Sequence, residues 1–550
     1  MTQLKELQAS VSKRIAQLKA DSVNSRLWAH DPTLWTDDPV GQAEVKHRLG
    51  WLDLPETSRD LAKEATAFAQ EVKDSGITKT LLLGMGGSSL GPEVMSLIFN
   101  LKPGKFAILD STDPAQVAEA AQNFPPTETL YIVASKSGGT AETMSAFYYF
   151  WEQSGGDGSR FIAITDAGSG LEKLARESNF RKIFLADSNV GGRYSALTAF
   201  GLVPAALMGV DLDRALDSAA EMMAHCAVSE RSEAQTKGGS ANNPGILLGA
   251  VMGEAALAGR DKLTLITDTS FNSFGAWAEQ LIAESTGKEG KGIIPVDGES
   301  LLAADKYEED RLFVYLRQDG AHDELIKQLG VQNHPIVVIP ITNHYSLFTE
   351  FYRWEYATAI ACHILGVNAF DQPNVEAAKI EARAQIDAYN QNGMLDEGQP
   401  VWEQDGVKLY ADFEIREADL SSAFDSFLAQ GQESDYVALQ AYLPRNPQTG
   451  ASLKKLRDFI QGKTGLATTL GYGPRFLHST GQLHKGGANN GIFIQITMDA
   501  ETDIEIPAQG MSFGTLERAQ TLGDFSALLA SGRRVLRVHL PSLDKLSQLQ

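Results

Sequence analysis

Only two cysteines, Cys226 and Cys362, occur in 550 residues. They stand far apart in apolar, helix-like contexts, which excludes a disulfide framework or a thiolate metal site and fits a reducing compartment. No apolar run reaches the roughly 20 residues that span a bilayer. Met1 leads into an amphipathic segment with Gln3, Lys5 and Glu6 instead of the apolar core of a signal peptide. A soluble, cytoplasmic protein is the expectation. Positive charge is also scarce: 48 Lys and Arg face 70 Asp and Glu, a formal charge of -22 without any long basic run. Such a balance repels nucleic acid and anionic membranes, so neither is expected as a partner. It would equally repel a phosphorylated metabolite unless cations and backbone N–H groups were gathered at one cleft.

The chain is long enough for about three domains. Residues 1–75 read as helical, with apolar positions at helical spacing in Leu4 to Leu18 and Leu61 to Val72, and with Leu27-Trp28 and Leu34-Trp35 as packing anchors. Five short apolar runs then alternate with helix or loop: Thr80 to Gly84, Phe106 to Leu109, Leu130 to Ala134, Phe161 to Thr165 and Ile183 to Ala186. That is the pattern of a doubly wound parallel sheet over 76–228. A polar, Gly-rich stretch from Ser229 to Gly245 marks a boundary. A second sheet is expected over 229–390, from Leu263 to Thr267, Leu312 to Leu316 and Ile336 to Ile339, with helices around Phe274 to Ala283 and Leu347 to Leu365. Asn390 to Pro400 reads as a linker, and 400–550 as a third α/β unit. The fold class is therefore α/β, and the two sheet domains have the look of a diverged duplication.

Two segments point to phosphate. Leu81 to Gly84 is a buried strand entering the turn Met85-Gly86-Gly87-Ser88-Ser89 at the start of a helix. Free N–H groups and a partial positive charge at such a helix start suit an anion; glycines admit close approach, and Ser88 and Ser89 add hydroxyls. Ile132 to Ala134 leads likewise into Ser135-Lys136-Ser137-Gly138-Gly139-Thr140. Neighbouring βα loops of one sheet can close on one ligand at the carboxyl ends of their strands. A dinucleotide is disfavoured, because Ser89 stands where the third glycine of that fingerprint belongs, although Asp110 occupies a position suited to a ribose-binding acid. Gly462-Lys463-Thr464 follows a helix, not a strand, and reads as a helix C-terminus.

These loops, with Gly191-Gly192-Arg193-Tyr194-Ser195, Gln280 to Lys288 and Phe370-Asp371-Gln372-Pro373-Asn374-Val375-Glu376, resemble the phosphoglucose isomerase family in order and type. Leu34 to Asp38 and Gly471 to Gly487 are similar to the variant of that family fused behind a transaldolase, though no transaldolase segment is seen. The resemblance implies two sugar-isomerase domains and reversible conversion of glucose 6-phosphate to fructose 6-phosphate through an enediol(ate), with no metal or other cofactor. It implies Glu284 as the base, Arg193 as the cation that stabilises the enediolate, and Lys379 as a helper in ring opening. Gly87, Ser88, Ser135, Lys136, Ser137, Thr140, Gln280 and Gln372 are the implied substrate-binding residues.

One part is missing. The family places a histidine some twenty to thirty residues beyond the base, yet residues 301–315 contain none, and His322 and His334 lie further on. Pro474 to Gly487 gathers His478, His484, Arg475 and Lys485 among glycines, a composition suited to a loop over an anionic ligand. His484 is the expected ring-opening residue, with His478 second. Two further functions stay open at this level: a non-catalytic phosphosugar sensor, and an isomerase that also accepts mannose 6-phosphate. A homodimer is open too, since family members commonly share a site between subunits, but the C-terminal domain could supply the same groups within one chain.

Overall fold

The computed structural model describes residues 2–99, 104–227 and 243–550. Most of the Gly-rich boundary stretch, 229–242, therefore lies outside the described residues. The first sheet is built of β1 (Lys79–Gly84), β2 (Phe106–Leu109), β3 (Thr129–Ala134), β4 (Phe161–Asp166) and β5 (Lys182–Ala186), all parallel, in the order β2-β1-β3-β4-β5. After Lys79, Thr80 and Thr129 at their starts, strands β1 and β3 are apolar because helices cover both faces, and every residue but Lys79 is buried. The order reverses between β1 and β3, so the loops after these two strands diverge to opposite faces and leave a crevice at their carboxyl ends.

The second sheet repeats the plan with one strand fewer. β6 (Lys262–Thr267), β7 (Ile294–Val296), β8 (Arg311–Arg317) and β9 (Ile336–Pro340) run parallel in the order β7-β6-β8-β9. β7 is absent from the sequence expectation; Ile-Pro-Val is too short to carry a strand signal. Between the sheets lies the helix Ser346–Leu365, buried on nearly every side. Helix Pro244–Leu257 packs on it through glycines spaced four apart: a Cβ at Gly245, Gly249 or Gly253 would come within 2.5–2.7 Å of Tyr356, Ala357 or Ile364. The N-terminal helices close the same core through Leu27, Leu34, Trp35 and Trp51, with Trp35 Nε1 donating to the Ala359 carbonyl at 2.9 Å.

The C-terminal unit has its own core. Its sheet comprises β10 (Trp402–Gln404), β11 (Val407–Tyr410), β12 (Tyr436–Tyr442), β13 (Ala467–Tyr472), β14 (Gly491–Met498) and β17 (Arg534–Leu540), in the order β10-β11-β17-β14-β12-β13, and a small ribbon pairs β15 (Glu505–Ile506) with β16 (Met511–Ser512). The four strands from β17 to β13 are parallel, and β10 and β11 extend that edge antiparallel. Helix Pro447–Thr464 ends at Gly465 in the left-handed region (φ 72°), so Gly462-Lys463-Thr464 is a helix C-terminus as expected.

This unit is keyed into the second sheet by buried polar contacts. Glu299 pairs with Arg311 at 2.8 Å and accepts from the Thr468 N–H at 2.8 Å, while Arg457 donates to the Asp297 carbonyl at 2.9 Å. Two acids sit in the seam. Burial, aided by the neighbouring Asp297, pushes Glu279 up from 4.5 to about 7, and burial pushes Asp297 up to about 6 against the pull of Arg457. A carboxyl whose folded value is raised prefers its proton in the folded state, so its full support is present below pH 4.5 and is lost as pH rises through about 7. Glu279→Gln should therefore gain stability relative to wild type between about pH 5 and pH 8 in urea unfolding; an identical pH dependence for both proteins would contradict this.

Candidate active site

Arg193 is the centre of the site. It sits in the short helical turn Gly192–Tyr194 after β5, is 4% exposed, and every guanidinium nitrogen is engaged. Nε donates to Ser285 Oγ at 2.8 Å; Nη2 donates to the carbonyls of Ala369 at 2.6 Å and Asp371 at 3.0 Å; Nη1 donates to Gln372 Oε1 at 3.1 Å. The same Nη1 lies 3.1 Å from Glu284 Oε1. Glu284 and Gln280 share a face of helix Phe274–Thr286, one turn apart, and Gln280 Nε2 donates to Glu284 Oε2 at 3.1 Å and to the His478 carbonyl at 2.8 Å. Lys288, at the end of that motif, is buried and held to Asp371 at 2.8 Å, which fixes the segment that receives Arg193. Burial, together with the charge of Arg193, lowers Lys288 to about 8 despite Asp371.

The glycines of the first loop serve close packing. Gly86 adopts φ +53°, and a Cβ there would meet the His478 carbonyl at 2.8 Å; one on Gly87 would lie 2.0 Å from the Gly192 carbonyl. This loop thus presses the Arg193 turn and the His478 segment into place. Neither Gly87 nor Ser88 lines the adjoining cleft.

That cleft, about 300 Å³, is bounded by Ser137, Gly139, Thr140 and Glu142 of the second loop and its helix, by Lys379 and Arg383, and by His478, Lys485 and Gln520. Ser137 and Thr140 line this cleft. Ser135 is instead inside the loop, bonded to Thr140 Oγ1 at 2.9 Å and accepting from the Gly138 N–H at 3.1 Å. The side chain of Lys136 corrects the expectation: its ammonium is 2.7 Å from Asp166 at the end of β4, outside the cleft lining. Gln372 reaches the site through Arg193.

The histidines also need correction. His484 is fully buried between Phe476 and Phe493, ring centroids 6.0 and 5.1 Å away, and accepts on Nδ1 from Gln440 Nε2 at 3.1 Å. Burial and the nearby Lys485 and Arg533 hold it well below the ordinary imidazole range. It does not line the cleft. His478 does, and its Nε2 donates to Glu142 Oε1 at 2.9 Å, since an ionised carboxylate can only accept. Gln520 Nε2 donates to the same oxygen at 2.6 Å, and its own carbonyl accepts from Thr112. Burial would raise Glu142, yet His478 and Gln520 hold it below the usual carboxylate value. Sequence reasoning misses Glu142 because an acid in the first turn of a helix reads as dipole compensation. It places His478 second because β13, with its threonines and glycine, does not read as a strand; a histidine just past a strand's carboxyl end is the better site candidate. Among the described residues no group of three or more His, Cys, Asp or Glu side chains is placed to hold a metal ion.

The His478 segment is anchored by Arg475, which lies between Glu93 and Asp110 of the first sheet domain, 2.9 Å from the latter. Against burial, Arg475 and Arg445 hold Glu93 down to about 2, whereas burial keeps Asp110 raised.

Two parallel sheets of one plan, bridged by the contact of Arg193 with Glu284, have the fold of a double sugar-isomerase-domain protein. The fold agrees with a hypothetical protein from Thermus thermophilus (TM-score 0.59, 21% identity, covering 70% of this chain and 100% of that one). It agrees also with a glucose-6-phosphate isomerase from Chlamydia trachomatis (TM-score 0.51, 20% identity, 67% and 78% covered). The family model for phosphoglucose isomerase matches residues 60–296. A glucose-6-phosphate isomerase of Prochlorococcus marinus is 28% identical over 427 residues, 69% of this chain and 75% of the relative; one of Rubrobacter xylanophilus is 28% identical over 423 residues, 65% and 91%. Over most of its length the chain is thus similar to members of the phosphoglucose isomerase family.

Removing one partner of a buried ion pair typically costs about 3–5 kcal/mol. Arg475→Met should lose stability of that order in urea unfolding, and Asp110→Asn in the same chain should return part of it, because the stranded acid is gone. Simple additivity of the two substitutions would show that the pair is not coupled.

Proposed function

We propose that the protein interconverts glucose 6-phosphate and fructose 6-phosphate by proton transfer through an enediol(ate). The observation that carries this is the contact of the Arg193 guanidinium with the Glu284 carboxylate, which Gln280 joins to the His478 segment lining a cleft whose cations and hydroxyls suit a sugar phosphate. The phosphate goes to Ser137, Gly139 and Thr140, where helix Ala141–Gln153 begins and offers its free N–H groups, with Lys379 and Arg383 on the facing helix. A net charge of -22 makes such local cations necessary.

In this reading His478, hydrogen-bonded to Glu142, protonates the ring oxygen while the C1 hydroxyl passes its proton to a water molecule, which returns one to the imidazole, so the C1–O5 bond breaks and the aldehyde forms; Lys379 assists at the same end. Glu284 then removes the proton from C2, negative charge develops on the oxygen at C1, and Arg193 stabilises it. Returning the proton to C1 and shifting one from the O2 hydroxyl to O1 gives the ketose. Gln280 holds the carboxylate of Glu284 in one orientation throughout. The role left without an occupant by the sequence is assigned to His478 in place of His484.

Loss of a positioned acid or base typically costs about 10²–10⁴-fold in rate. In an assay coupled to glucose 6-phosphate formation, Glu284→Gln should fall by at least that range with phosphosugar binding retained. His478→Asn should lose rate on the cyclic sugar. Full activity of Glu284→Gln would remove it as the base, and inactivity of the wild-type protein with intact phosphosugar binding would favour a sensor.

A further inference from the structure

The crevice at the order reversal of the second sheet, between β6 and β8, corresponds to the one between β1 and β3, and it is already filled. Asp268, the residue after β6, is 1% exposed. Its Oδ2 accepts three successive backbone N–H groups of the loop after β8: Gln318 at 2.7 Å, Asp319 at 2.7 Å and Gly320 at 2.9 Å. Its Oδ1 accepts from Tyr315 Oη at 2.6 Å. Consecutive N–H groups that converge on one point form an anion-binding concavity. Gly320 makes it possible with φ +85°, as Gly138 does in the first sheet's loop with φ +72°.

The two loops differ in what satisfies them. In the first sheet the Gly138 and Gly139 N–H groups meet only the hydroxyls of Ser135 and Ser137, at 3.1 and 3.3 Å, which an incoming anion can replace. In the second sheet the acceptor is an ionised carboxylate delivered by the chain itself. Although burial opposes it, the Tyr315 hydroxyl and the three N–H groups hold Asp268 at about 2, so it stays charged throughout the working range.

We infer that the loop Gln318–Gly320 is a second anion cradle whose ligand, a carboxylate or phosphate oxygen, is supplied internally by Asp268. The analogy with the first loop rests on the phosphate reading above, but the cradle itself rests on its own hydrogen bonds. The consequence is one substrate phosphate per chain: the second sheet's crevice is closed, and the chain leaving Asp268 enters the helix that carries Gln280 and Glu284.

The test deletes the internal anion and offers one from solution. Thermal unfolding of the full chain is followed for wild type, Asp268→Gly and Asp268→Asn in chloride, formate and inorganic phosphate at matched ionic strength. Asp268→Gly should melt lower than wild type in chloride and recover much of that deficit, saturably, in formate and in phosphate. Asp268→Asn, whose amide still fills the cradle, should show no such recovery. Wild type should respond to phosphate alone, through the cleft; no response there would count against the phosphate reading and leave the cradle to be judged by formate. Equal anion responses in Asp268→Gly and wild type, or failure of Asp268→Gly to fold in any of the three salts, would overturn the inference.

Discussion

Everything at the site depends on one buried guanidinium. Arg193 leaves the first sheet, touches Glu284 and Ser285 on a helix of the second, and is held by three acceptors of the segment 369–372. A planar cation with five fixed donors can join three segments in a single geometry, which a lysine's point charge cannot do. The close packing of Gly87 on Gly192 and of Gly86 on His478 follows from the same need, since any side chain there would displace the turn or the segment that the cation organises.

Around that centre the three units divide the work. In the proposed reaction the first sheet offers replaceable donors and a helix start to the phosphate. The second spends its equivalent loop on Asp268 and contributes a rigid helix with polar groups on two faces, Glu284 toward Arg193, and Gln280 and Glu279 toward the C-terminal unit. The C-terminal unit contributes His478, Lys485 and Gln520 to the cleft, and Arg475 fixes its approach through a buried pair. A formally acidic protein thereby concentrates cations where a phosphosugar would lie.

Much of this was legible in the residues. Parallel strands buried on both faces are short apolar runs and announced the two sheets, and the ordered motifs from Gly84 to Lys379 announced the Arg193 and Glu284 elements. What could not be read depended on side-chain direction. Lys136 stands in the middle of a phosphate-type loop yet turns to Asp166, because that acid ends the adjacent strand. His484 sits in the more suggestive basic cluster, but aromatic neighbours from β14 and the preceding turn enclose it, while His478 faces the cleft and finds Glu142, an acid 336 residues away. Asp268 gave no signal at all, since its partners are mainly backbone groups.

In the proposed reaction hydrogen moves as a proton taken and returned by a carboxylate. The most direct measurement is conversion of fructose 6-phosphate in deuterium oxide, with the label at C2 of the glucose 6-phosphate read by NMR. Solvent deuterium should appear at C2 within the first turnovers and accumulate as the reaction is recycled. Product formed over many turnovers with no deuterium at C2 would mean a direct hydride shift and would contradict it.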